Sequence, residues 1–145
     1  MFKNILLPTD GSQVSEVAIA KGVEFARSIG AKLTGFYVIP EFHVLSYRTG
    51  TLADTDAEFE RDSKAHAGRY LTLIRESAQA AGVSCETAYT NGDQPYEAII
   101  KAAQDHGCDL ILMASHGRRG VKGFLLGSET QKVLTHSKIP VLVFR

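Results

Sequence analysis

Short apolar runs alternate with segments of helical periodicity along all 145 residues, and this alternation constrains the fold more than any other feature. Ile5-Leu6-Leu7, Leu33 to Ile39, Val83 to Tyr89, Leu110 to Ala114 and Pro140 to Phe144 read as five short strands. Between them lie four helical segments. In the first, Val14, Val17, Ala18, Phe25, Ala26 and Ile29 form a stripe, with Ser12 placed to cap its start and Gly30 its end. The second carries Phe59, Ala67, Tyr70, Leu71, Ile74, Ala78 and Ala81 before Gly82, and the third opens at Asp93-Gln94-Pro95 and runs to about His106. The fourth follows Gly127-Ser128 and ends near His136 to Lys138. Right-handed crossovers between such units give a single-domain, doubly wound α/β fold, a five-stranded parallel sheet with helices on both faces.

Ligands in folds of this kind bind beyond the carboxyl ends of the strands, where the strand order reverses. With the order 3-2-1-4-5, the first and fourth strands lie side by side. Their exit loops, Pro8-Thr9-Asp10-Gly11-Ser12 and the segment from Ser115 to Ser128, then form the walls of one crevice. The second loop holds Gly117, Gly120, Gly123 and Gly127 with Arg118, Arg119 and Lys122, a set suited to cradling polyphosphate with main-chain N–H groups and positive charge. Ser128 and Thr130 suit the opening of a helix whose positive end would face the same place. The same composition also describes a solvated surface loop. Asp10 by itself favours a helix cap over a ligand acceptor, and only the loop opposite brings in the second role, whereas His116 suits a phosphate donor and a residue that closes the turn equally.

The remaining composition excludes more than it assigns. Sixteen basic and sixteen acidic residues cancel, so no global field draws the chain to nucleic acid or to an anionic membrane, and an anion site must be local. No apolar run reaches the length of a membrane span, and the N-terminus enters strand-like sequence directly, so a cytoplasmic protein is the expectation. Cys85 and Cys108 lack metal-ligand or CxxC spacing and read as unreactive thiols. The third strand alternates polar and apolar residues like a half-exposed edge. The last strand is apolar on both faces; as an edge it would pair with a second copy through residues 140–145, unless a helix or loop covers it. Glu41 to Asp54, with His43, Tyr47, Arg48 and Gly50, shows no period and suits either a flap or a segment without function.

Several enzyme signatures are missing. Lys122-Gly123-Phe124 is not the Gly-Lys-Ser/Thr of a P-loop, and no GxGxxG follows the first strand. A receiver domain would need an aspartate at the tip of the third strand, where Tyr89-Thr90-Asn91-Gly92 stands, and no GxSxG elbow occurs.

Three features together resemble the universal stress protein A (UspA) family in its nucleotide-binding branch, over residues 1–145 as one domain. They are Ile5-Leu6-Leu7-Pro8-Thr9-Asp10-Gly11-Ser12, the glycine loop, and Gly127-Ser128-Glu129-Thr130 followed by Val133-Leu134 and Ile139-Pro140-Val141-Leu142-Val143. The family's ATP motif is glycine, two residues, glycine, nine residues, then Gly-Ser or Gly-Thr. Gly117, Arg118 to Leu126, and Gly127-Ser128 match its later elements, whereas Ala114 stands in place of the first glycine and excludes the φ > 0 conformations that glycine permits. The resemblance implies an adenine nucleotide alpha hydrolase-like fold and an ATP site. In that site Pro8, Thr9, Asp10 and Val38 surround adenine and ribose, Met113 and Ala114 line the floor, and Gly117, Arg118, Gly127, Ser128, Glu129 and Thr130 hold the phosphates. Mg²⁺ entering with ATP would find Asp10 or Ser128 as a partner. The implied function is that of a cytoplasmic stress-response regulator, a homodimer or partner-binding switch set by nucleotide. A dimeric interaction protein that binds no nucleotide, and a weak ATPase, are the alternatives.

Overall fold

The structure, a computed structural model, describes residues 1–41, 52–116 and 126–145. The chain runs β1 (Asn4–Thr9), α1 (Gln13–Ile29), β2 (Lys32–Ile39), α2 (Leu52–Ala80), β3 (Cys85–Asn91), α3 (Pro95–Asp105), β4 (Leu110–Ala114), α4 (Ser128–His136) and β5 (Val141–Phe144). All pairings are parallel and the order is β3-β2-β1-β4-β5, as the alternation of the sequence implies. The last residues of the expected aperiodic stretch, Leu52 to Asp54, already belong to α2. Its earlier part, with His43, Tyr47, Arg48 and Gly50, lies outside the described residues, as do Gly117, Arg118 and the rest of the loop to residue 125.

Alternation of side chains across the sheet builds two cores. Ile5, Leu7, Leu33, Tyr37, Ile39, Leu110 and Leu112 meet Ile19, Val23 and Ala26 of α1 and Ala67, Leu71, Ile74 and Ala78 of α2. On the opposite face Leu6, Phe36, Ile111 and Met113 meet Ile99, Ala102 and Ala103 of α3 and Val133 of α4. Because β1 and β4 are covered on both faces, Leu6, Leu7, Ile111 and Leu112 are wholly buried, the expected signature of central parallel strands.

Two sequence expectations need correction. The buried face of α1 is Ser15, Ala18, Ile19, Gly22, Val23 and Ala26, whereas Val14, Val17 and Ile29 are exposed. Hydropathy misplaced the stripe because this helix packs through small residues: a Cβ at Gly22 would sit 3.0 Å from a δ-carbon of Leu7, so the helix approaches the sheet closely. The third strand starts at Cys85 rather than Val83. Gly82, at φ 71°, reverses the end of α2, and the Val83 N–H donates to Ala78 C=O at 2.8 Å, so Val83 completes the helix cap and cannot join the ladder.

The two sheet edges are unlike. β3 carries polar side chains and exposes Tyr89, whereas all four residues of β5 are apolar and half-buried. Burial raises the pKa of both thiols, Cys85 and Cys108, so each sits in the surroundings of a quiet cysteine.

Candidate functional site

The exits of β1 and β4 adjoin at the carboxyl edge of the sheet because the two strands pair in register, Ile5 with Leu110 and Leu6 with Ile111. The chain leaving β1 folds upon itself. Thr9 is buried, and its hydroxyl oxygen accepts from the Gly11 N–H at 3.1 Å and from the Ser15 hydroxyl at 2.7 Å. Asp10 Oδ1 accepts from the Ser12 N–H at 2.9 Å, and Ser12 Oγ in turn accepts from the Ser15 N–H at 3.2 Å, capping α1. Ser12 rather than Asp10 is therefore the cap of α1, and the Asp10 carboxylate closes the turn that precedes it. Gly11 takes φ 75° and lies beneath the ring of Tyr70: a Cβ there would stand 2.1 Å from Tyr70 Cζ. Tyr70 also meets Tyr37 at 5.5 Å between ring centroids, so α2 clamps the β1 exit from one side.

At the β4 exit the main chain is pinned from two directions. Ser115 N–H donates to Phe144 C=O of β5 at 2.7 Å, and Ser115 C=O accepts from the Gly127 N–H, also at 2.7 Å. The start of α4 is thereby fixed against the end of β4. Thr130, buried, donates its hydroxyl to Ala114 C=O at 3.0 Å, a second tie between the same two elements. Glu129 turns towards α3, where its carboxylate accepts the Tyr96 N–H at 2.9 Å and pairs with Lys132, also at 2.9 Å. That carboxylate replaces the side-chain cap that Gln94 does not supply. The side chains of Glu129 and Thr130, assigned to phosphates by resemblance, are thus committed elsewhere. What they and Ser128 can offer an anion is the main chain of the first turn of α4, whose N–H groups have no acceptor within the helix.

Pro8, Val38 and Met113 lie on the α3/α4 face by strand alternation, and Met113 and Val38 join the core there. Ala114 follows Met113 and so points to the other face; of the two residues expected to line one floor, only Met113 offers a side chain to it. Ala114 is extended strand, paired with Phe144, and no described non-glycine residue has positive φ, so the departure from the family's glycine costs no backbone strain. Gly127 likewise has ordinary angles, φ −58° and ψ 149°, open to any residue.

His116 ends the described part of this wall. Its Nδ1 lies 2.9 Å from Ser115 Oγ, and its Nε2 is buried without a hydrogen-bond partner among the described residues. A buried polar atom in that state is uncommon and calls for a specific explanation. A separate cavity of about 250 Å³ opens one strand away, at the ends of β2 and β3. There Lys64 is outnumbered by Glu41 and Glu60, a poorer setting for phosphate than a helix N-terminus.

Tyr70 and Ser115 carried no local signal in the sequence.

Fold and site define a doubly wound α/β protein of the adenine nucleotide alpha hydrolase-like class. The chain belongs to the universal stress protein family, whose model matches residues 1–145. Universal stress protein MJ0577 of Methanocaldococcus jannaschii is 31% identical, over 100% of this chain and 96% of its own length. Its solved structure superposes with a TM-score of 0.84, covering 99% of this chain and 95% of that one. Two more distant structures share the fold: a universal stress protein in complex with cAMP (24% identical, TM-score 0.70, covering 99% and 97%) and one from Arabidopsis thaliana with AMP bound (18%, 0.70, 98% and 90%). Among the described residues no helix is long and apolar enough to cross a membrane.

Proposed function

We propose that this protein binds ATP, with the Mg²⁺ that accompanies it, in the crevice between the exits of β1 and β4. The observation that carries the reading is the buried, unpartnered Nε2 of His116, on a wall tied by the Ser115–Gly127 hydrogen bond to the N-terminus of α4. A helix N-terminus and an imidazole donor suit phosphoryl oxygen. Pro8, Val38 and Met113 supply an apolar face for adenine, and Thr9 and Asp10 a polar rim for ribose. His116 and the main-chain N–H groups of Ser128, Glu129 and Thr130, with Gly117 and Arg118 of the loop, supply the phosphate side, and Ala114 and Gly127 hold that wall through their bonds to Thr130 and Ser115. The AMP and cAMP held by two structural neighbours are, like ATP, adenosine phosphates, which supports the choice of base.

In this reading nucleotide acts as a switch in a cytoplasmic stress-response regulator. It stabilises a homodimer formed through β5, or a surface read by a protein partner, and any hydrolysis is slow. The half-buried apolar β5 edge favours a second reading, a dimer that forms without nucleotide. Calorimetry on nucleotide-stripped protein with ATP and Mg²⁺, with AMP and GTP as controls and sedimentation in parallel, tests both. ATP-preferring binding is expected. No binding at millimolar ATP, with a dimer present, would leave the second reading standing.

A further inference from the structure

We propose that Ser115 is a positioning residue for the nucleotide: its hydroxyl donates to His116 Nδ1 and so holds the neutral imidazole as the Nε2–H tautomer, which donates to a phosphoryl oxygen. The proposal rests on the nucleotide reading above and adds to it a residue that neither the sequence motif nor the resemblance singled out.

The argument is one of hydrogen-bond accounting. Ser115 is buried, and its main chain is already engaged on both sides, its N–H with Phe144 C=O and its C=O with the Gly127 N–H, each at 2.7 Å. Its hydroxyl is therefore held in place by a fixed backbone. A serine hydroxyl carries one proton that needs an acceptor, and a neutral imidazole has one acceptor nitrogen and one donor nitrogen. Among the described residues the acceptor within reach of Ser115 Oγ is His116 Nδ1, at 2.9 Å. Were the proton on Nδ1 instead, the serine proton would be left buried without an acceptor there, and Nε2 would be a bare buried acceptor. The arrangement O–H to Nδ1 satisfies two groups and leaves one unpaired, a donor at Nε2. An anionic oxygen suits a buried donor, and the Ser115–Gly127 hydrogen bond ties this wall to the head of α4, whose first-turn N–H groups share that preference. Ser115 acts through His116 and need not touch the ligand.

The test combines a spectroscopic readout with a double-mutant cycle on the full chain. In wild-type protein labelled with ¹⁵N-histidine, the two ring-nitrogen shifts of His116 should report the Nε2–H tautomer, and Ser115→Ala should raise the Nδ1–H population. Calorimetry should show Ser115→Ala weakening ATP by about 5- to 10-fold, the size of one oriented hydrogen bond, with adenosine unaffected. In a His116→Gln background, where no tautomer exists, the same Ser115→Ala change should cost less than about 2-fold. An equal penalty in both backgrounds, or a tautomer indifferent to Ser115→Ala while ATP still binds, would overturn the proposal alone. Failure of the unaltered protein to bind ATP would overturn the function proposed above, and with it the phosphoryl role of Nε2.

Discussion

The exits of β1 and β4 stand side by side in the sheet yet spend their polar groups in opposite ways. At β1 the chain satisfies itself: Thr9, Asp10, Ser12 and Ser15 trade four hydrogen bonds within seven residues, and Tyr70 closes over the turn. At β4 the bonds reach outward, to Phe144 of β5 and to Gly127 at the head of α4, and one buried nitrogen of His116 stays unpaired among the described residues. A wall that is complete without a ligand can orient one. A wall that is incomplete can gain from one, since a polar group buried without a partner costs about 1–3 kcal/mol until something pairs with it.

The contrast can be broken from either side. The largest expected effect is on the outward wall. Gly127→Val should weaken ATP by roughly 100-fold or more by blocking close approach to the main chain, while the melting temperature stays near that of the parent. Stability should survive because φ −58° and ψ 149° suit any residue. A parallel collapse of stability would show that Gly127 serves packing. Next comes Gly11→Ala on the self-contained wall, which should cost about 2–4 kcal/mol of stability through positive φ and collision with Tyr70. Urea denaturation reads this directly, and Tyr70→Leu in the same chain should return part of the loss. Thr9→Val should cost about 1–3 kcal/mol, because it strands the Gly11 N–H and the Ser15 hydroxyl together. A change within about 0.5 kcal/mol would mean water replaces the hydroxyl readily. Glu129→Ala should cost about 1 kcal/mol by uncapping α3 and should leave ATP affinity within about 3-fold, since its carboxylate faces Tyr96 and Lys132. A large gain or loss of affinity would place that carboxylate at the phosphates after all. The smallest effect is that of Ala114→Gly, which restores the family's motif. It should lower stability by about 0.5–1 kcal/mol and barely alter ATP binding, because this position is regular strand.

The comparison extends to the sheet edges. Polar alternation in the sequence marks β3 as an edge, and the exposure of Tyr89 agrees. For β5 the same reasoning finds apolar residues on both faces, and the half-buried state of all four residues shows how much apolar surface that edge retains. Whether a second copy pairs there is the question that sedimentation answers.

Strand and helix alternation by itself determined the doubly wound sheet, its order and the neighbouring exits of β1 and β4, because periodicity and crossover handedness are local rules that add up to one topology. The glycine-rich segment from Gly117 to Gly127 raised an anion site as an expectation from sequence, which the ATP titration tests. Tertiary structure alone decided which atoms remain for that anion. The α1 stripe shifted because Gly22 and Ser15 pack more closely than hydropathy suggests, and Val83 left its strand because a helix cap claimed its N–H. The side chains of Glu129 and Thr130 are engaged because Tyr96 and Lys132, and Ala114, offered them partners. Ser115 is held in place because β5 and α4 engage its main chain, with its hydroxyl 2.9 Å from His116 Nδ1. Each of these outcomes is a competition for hydrogen bonds or space between residues far apart in the chain, and such competitions are settled only when the partners meet.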